Sequence, residues 1–254
     1  MSLTSSSRPA PDRAGDPGGA PEAARAAARA SHPSSTPRRA AWPLWGAVAG
    51  LTGFVGTVVT DLRPPAEMAA SDAGVPYTAT PADMLTLDVA TGRIGWSAGV
   101  VCVIALLVLQ AAWRARVEPR TGTIAARLVS GGLLATAAGA TLGYGWRGAL
   151  ANYLGPEAGM YDEQGLWVYY LLTDFGAYLP WLGVLVSALA VAWSGLVDRT
   201  MSRALGVVSA MIGLGLLVAM FVTGVPGLPG TLGQLWLFLA GVWWAVTGGP
   251  LTRR

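Results

Sequence analysis

Six apolar stretches, each long enough to cross a lipid bilayer, constrain this chain more than any motif in it. A helix rises about 1.5 Å per residue and the hydrocarbon layer is about 30 Å thick, so a span takes roughly 17–25 mainly apolar residues. Ala41–Leu62, Ile94–Trp113, Leu128–Trp146, Trp167–Val197, Ala204–Val225 and Leu232–Val246 meet that description when each end is allowed to shift by several residues into its Gly- and Pro-containing flank. The expected fold is all-α, a polytopic six-helix transmembrane bundle. A composition of 53% hydrophobic and 12% charged residues leaves too little polar surface for an ordinary soluble domain.

Arginine placement sets the expected orientation, because cytoplasmic flanks of membrane helices retain basic residues. Fourteen of the 17 basic residues fall on one side of an alternating path. They are Arg8, Arg13, Arg25, Arg29, Arg38 and Arg39 in the N-terminal tail, Arg114, Arg116, Arg120 and Arg127 between spans two and three, Arg199 and Arg203 between four and five, and Arg253 and Arg254 at the end. The opposite connections hold Arg63, Arg93 and Arg147 among acidic residues. Both termini are therefore expected in the cytoplasm of a cell whose plasma membrane the chain crosses. The absence of lysine beside abundant Ala and Gly points to a GC-rich bacterial genome. Trp42, Trp45, Trp113, Trp193, Trp243 and Trp244 would mark the inner headgroup level, and Trp96, Tyr144, Trp146, Trp167, Tyr169 and Tyr170 the outer.

Several chemistries lose their essential parts. Cys102 and His32 are the single cysteine and histidine, which removes an intramolecular disulfide, a thiolate or His-based metal site, bis-histidine haem and a Ser-His-Asp triad. No cofactor and no metal are expected. The net charge of +3 belongs to helix flanks facing anionic lipid and is no sign of nucleic-acid binding.

Two domains follow: a disordered Arg-, Pro- and Ala-rich cytoplasmic tail over 1–39, with a marginal helix at Pro21–Ala30, and the membrane domain over 40–250. The connection from Arg63 to Arg93 is too long for a turn. Its Pro64, Pro65, Gly74 and Pro76 predict an irregular first half. Thr80, Pro81 and Asp83 followed by Met84, Leu85 and Leu87 predict a short amphipathic helix.

Gly131, Ala135, Gly139 and Gly143 recur every four residues in the third span and predict a stripe for close helix packing. Gly46 with Gly50, and Gly215 with Ala219, suggest a weak hairpin repeat.

Asp174 is the one carboxylate inside an apolar run. Charge at the bilayer centre costs about 2.5–3.5 kcal/mol. Counting back from Asp198 places Asp174 just beyond the outer boundary instead, with Pro180 at a bend. It then shares a layer with Asp61, Arg63, Arg93 and Arg147. One reading is a polar vestibule in which Arg93 and Arg147 hold Asp174 ionised or receive an anionic headgroup or carboxylate ligand. The plainer one is interfacial anchoring by side chains that reach the headgroups. Gly224-Val-Pro-Gly-Leu-Pro-Gly230 is a stiffened turn between the last two spans.

Leu-Pro-Trp-Leu-Gly from Leu179, Ser-Arg-Ala-Leu-Gly-Val-Val from Ser202 and Leu-Pro-Gly-Thr-Leu-Gly-Gln-Leu-Trp from Leu228 resemble uncharacterised bacterial membrane proteins of six or seven helices, classed as a domain of unknown function. The resemblance covers the last three spans and implies no catalytic residue. Three function classes stay open: a membrane scaffold or partner subunit, a transporter or permease-like subunit, and a membrane enzyme acting on a lipid or isoprenoid through Asp174. The partners these imply are the bilayer itself, another membrane protein, or a cytoplasmic ATPase docked on the basic loop Arg114–Arg127.

Overall fold

A computed structural model describes residues 41–247, and all regular structure among them is helical. The expected tail, its Pro21–Ala30 helix, His32 and the terminal Arg253 and Arg254 lie outside the described residues.

The first helix, α1 (Leu44–Phe54), widens into a π-helical turn at Val55–Val59. Its last bond skips five residues, from the Thr60 amide to the Val55 carbonyl at 3.1 Å, and the Thr60 hydroxyl donates to the same oxygen at 2.8 Å. A short helix, α2 (Pro65–Asp72), follows, then a 3-10 turn at Pro81–Thr86. Pro65–Asp72, in the segment expected to be irregular, is thus helical, while residues 75–80 carry no regular structure. Pro65 sits at the first helical position, where its missing N–H costs nothing, and Glu67 stands in the first turn against the helix's positive end.

Next come α3 (Val89–Arg116), the short α4 (Glu118–Thr121) and α5 (Ile124–Tyr153). Asp88 starts α3 by accepting from the Ala90 and Thr91 amides, both at 3.1 Å, and Thr123 starts α5 by accepting from the Ala126 amide at 3.2 Å. Then α6 (Glu163–Tyr178) passes through a 3-10 turn at Leu179–Trp181 into α7 (Leu182–Leu196). Pro180 lies in that turn, where it cannot supply an α-helical bond. Helix α8 (Arg203–Thr223) stops at Gly224, whose φ of 69° is left-handed, and α9 (Pro229–Thr247) begins on a proline.

Four helical stretches are long and apolar enough to cross a membrane: Val89–Thr121, Ile124–Tyr153, Glu163–Leu196 and Arg203–Thr223. Leu44–Val59 is apolar but shorter. Helix α9 has length, yet Gln234 and three tryptophans lower its hydropathy. Outward faces carry exposed Ile104, Leu107, Met211, Leu214, Phe221 and Leu239. An apolar girdle of this kind calls for hydrocarbon, not water.

Backbones meet where glycines face each other. Gly132 lies on the Gly183 carbonyl and Gly143 on that of Gly176, while a Cβ on Gly195 would come within 2.8 Å of the Gly206 Cα. The expected four-residue stripe is corrected accordingly. Gly139 and Gly143 do pack inward, but Gly131 and Ala135 are exposed and Gly132 and Thr136 take their place. Four residues turn a helix by about 400°, so each step drifts about 40° and three steps carry Gly131 about 120° away from Gly143.

Tryptophans at the end of the bundle near α4 are also reassigned. Trp42 and Trp113, expected at headgroup level, are buried edge to face with centroids 6.3 Å apart, and Trp244 stands 5.2 Å from Trp113. The Trp113 indole donates to the Ala126 carbonyl at 2.9 Å and ties α3 to α5. Trp45, Trp193 and Trp243 remain exposed.

Candidate functional site

At the end of the bundle carrying the 60–88 and 154–162 connections, the π turn, the Asp61–Glu67 segment, α5 and α6 enclose a polar chamber of about 190 Å³. Above it the loop is clamped by Met84 and Leu87, buried against Leu62, Leu150 and Leu166. Its floor is built by the π turn. Widening the helix there frees backbone acceptors, and both terminal nitrogens of Arg147 donate into them, one to the Gly56 carbonyl and one to that of Thr60. Arg147 is 4% exposed. Its Nε finds no partner, and among the described residues no carboxylate lies within ion-pair distance of it. Carbonyl dipoles hold the guanidinium but do not cancel its charge.

The rim is organised differently. Arg63 donates through Nε to Asp61 at 2.6 Å and stands 3.8 Å from Glu67, while the Tyr170 hydroxyl reaches Glu67 at 3.5 Å. Asp61 beside it pushes the Arg63 pKa up, against the opposing effect of partial burial. Asp174 also lines the chamber, yet among the described residues it makes no hydrogen bond and no ion pair. One buried cation and one exposed anion thus line a shared space without an ion pair.

Beneath the floor a chain of neutral polar groups enters the bundle. Thr57, 1% exposed, stands at 3.0 Å from the Tyr144 hydroxyl and accepts from Gln234 Nε2 at 3.0 Å. Gln234 Oε1 and the Trp181 indole are buried without partners. Three elements thus contribute: the π turn, α5 and α9.

A second cavity of about 350 Å³ adjoins the chamber and shares Arg63, Asp174 and Tyr178 with it. Its other walls are mainly apolar: Phe175, Leu179 and the 225–228 turn. Glycine is needed just after that turn, at the second residue of α9, since a Cβ on Gly230 would come within 2.7 Å of the Tyr178 Cα.

Four of the five residues expected to form an outer cluster, Asp61, Arg63, Arg147 and Asp174, line the chamber. Arg93 does not; it is exposed and lies beside Gly155. The expected pairing of Asp174 with Arg93 or Arg147 is absent, because Arg147 is committed to backbone carbonyls. Tyr144, expected in an aromatic belt, is buried in the polar chain. Glu67, Thr57 and Gln234 were not singled out by the sequence. Glu67 is four residues from Arg63, and Gln234 interrupts an apolar run, so both carried a signal. Among the described residues no group of three His, Cys, Asp or Glu could hold a metal ion, and Cys102 is buried with its thiol donating to the Ala49 carbonyl at 3.3 Å.

Comparison with known proteins finds no matching family model, curated protein or solved structure.

Proposed function

We propose that the chain is an integral protein of a bacterial plasma membrane, crossing it six times with both termini in the cytoplasm. In this reading it is a ligand-binding partner subunit whose chamber opens at the outer face. The arginine asymmetry supports the orientation. Helix length supports the depth: thirty residues of α5 measure about 45 Å against a hydrocarbon layer of about 30 Å. Arg147, six residues before the end of α5, then lies near the outer boundary and not at the midplane.

The observation that carries the binding role is Arg147 itself. A buried guanidinium without a counter-anion is costly, and such a residue in a chamber open to the outside is suited to an arriving anion. A pure scaffold can use its hydrogen bonds to the Gly56 and Thr60 carbonyls but has no use for its uncompensated charge. The test is thermal unfolding of delipidated protein in detergent, titrated separately with a bacterial lipid extract and a water-soluble metabolite extract. One fraction raises the unfolding temperature of the native chain. If neither does, the binding role fails and the scaffold reading is left.

The Thr57–Tyr144–Gln234 chain favours a second reading, a transporter or permease-like subunit, since it supplies polar groups deeper in the bundle. Uptake into proteoliposomes separates the two. An enzyme reading rests on Asp174 alone as acid or base, because Asp61 and Glu67 are both engaged by Arg63.

A further inference from the structure

We propose that the chamber and its adjoining groove hold one membrane lipid whose head ends in a free α-amino acid. Its ammonium meets Asp174, its carboxylate meets Arg147, and its apolar portion lies along Phe175 and Leu179. This inference rests on the binding role proposed above and names the ligand class.

Charge defines the head. Arg63 is ion-paired with Asp61 and Glu67, which leaves Arg147 and Asp174 as the chamber residues of opposite sign that make no ion pair. A ligand complementary to both is a zwitterion. The order of its charges is fixed by position: Asp174 belongs to both cavities, whereas Arg147 belongs to the chamber alone. Entering from the groove, a molecule therefore presents its cation first and its terminal anion last.

That order discriminates among head groups. A phosphoethanolamine head ends in its ammonium, which would point at Arg147 or stop at Asp174 and leave Arg147 uncompensated. A phosphoglycerol head offers Asp174 no cation. A phosphoserine head carries its ammonium on the α-carbon and ends in the carboxylate attached to it, so the ammonium precedes the terminal anion and can donate charge-assisted hydrogen bonds.

Shape defines the tail. The groove is the larger cavity, at about 350 Å³ against about 190 Å³. Phe175, Leu179 and Val225 on its walls are exposed, 56% in the case of Phe175. A free amino acid would fill the chamber and leave these side chains uncovered; an acyl chain covers them and gains the associated burial.

The test uses full-length protein, purified in detergent and delipidated. Binding is measured with phosphatidylserine, phosphatidylethanolamine and phosphatidylglycerol of identical acyl chains, and with glycerophosphoserine and leucine as soluble arms. Phosphatidylserine is expected to bind best. Asp174→Asn should weaken it about tenfold, the value of one charge-assisted hydrogen bond, without changing phosphatidylglycerol binding. Val225→Trp, which narrows the groove, should weaken phosphatidylserine but not glycerophosphoserine. Equal affinity for the three lipids overturns the amino-acid head. Leucine binding as tightly as phosphatidylserine overturns the lipid as its source. If no probe binds while either extract still raises the unfolding temperature, this assignment falls and the binding role stands; if neither extract does so, both fall.

Discussion

Arg147 brings a full charge to a place where its partners are only carbonyl dipoles. Two opposing effects decide what its removal does. Losing the guanidinium relieves an uncompensated charge, but it also orphans the Gly56 and Thr60 carbonyls, each costing about 1–3 kcal/mol when left buried without a donor. The two orphaned acceptors outweigh the relief, so Arg147→Met should destabilise the protein by about 2 kcal/mol. Arg147→Lys keeps a donor but loses the fork and should cost about 1 kcal/mol. Thermal unfolding in detergent gives both values, and a methionine variant as stable as the native chain would show that the carbonyls find other donors. At this scale the sequence revealed the charges and missed the neutral groups. Asp61, Arg63, Arg147 and Asp174 stand out because ions in apolar flanks are expensive. Thr57, Tyr144 and Gln234 do not, because a hydroxyl or amide becomes part of a network only through tertiary contacts. Arg93 was grouped with the others by depth alone, and depth says nothing about which way a helix is rotated.

The glycine contacts belong to the scale of the helix pair. Gly143 lies against the Gly176 backbone, and nothing stands within 4 Å of a Cβ placed on Gly131. Gly143→Leu should therefore abolish folded yield, whereas Gly131→Leu should leave it unchanged. Equal yields in a fluorescence-detected gel filtration assay would mean that this helix pair does not pack as described. The loop element makes a separate prediction. Asp83 accepts from the Thr80 amide at 2.7 Å, the Thr80 hydroxyl at 2.9 Å and the Tyr77 hydroxyl at 2.8 Å, and Asp88 caps α3. The Thr80 amide chiefly lowers the Asp83 pKa, and the Thr91 hydroxyl chiefly lowers that of Asp88. A depressed carboxylate pKa contributes stability above the unfolded value, near 4, that is lost as pH falls through the folded value. Hydrogen exchange at the Thr80 and Thr91 amides, corrected for intrinsic rate, should thus accelerate below about pH 4. Asp83→Asn should remove the pH dependence at Thr80 alone; persistence there would assign the protection to something else. Element type was largely legible from period and caps: each of the six apolar segments is mainly helical, although Trp167–Val197 is divided between α6 and α7 by the 3-10 turn at Leu179–Trp181. The miss at Pro65–Asp72 came from reading prolines as breakers when one of them occupied a helix start.

For the whole molecule the decisive quantity is which face each connection occupies. Helical length and an apolar girdle indicate a membrane without indicating its sides, and only the arginines do that. The chamber's role depends on the answer, because a site for an outer-leaflet lipid must open outward. Cys102 is the single cysteine and is buried, so Cys102→Ser, which keeps a donor toward Ala49, supplies a background for single-cysteine variants. In intact cells a membrane-impermeant maleimide should label cysteines placed at Asp72 and Ala158, in the two connections beside the chamber. Positions Arg116 and Arg199, at the tryptophan end and in the turn before α8, should react only after the membrane is opened. A cysteine at Val218, on the exposed apolar face of α8, should resist labelling in both cases if lipid covers it. Labelling of Ala158 and Arg199 from the same side would break the alternation on which six spans depend. Reaction of Arg199 from outside with Ala158 protected would invert the protein, and the chamber would then face the cytoplasm, where the outer-leaflet assignment fails even if the lipid binds.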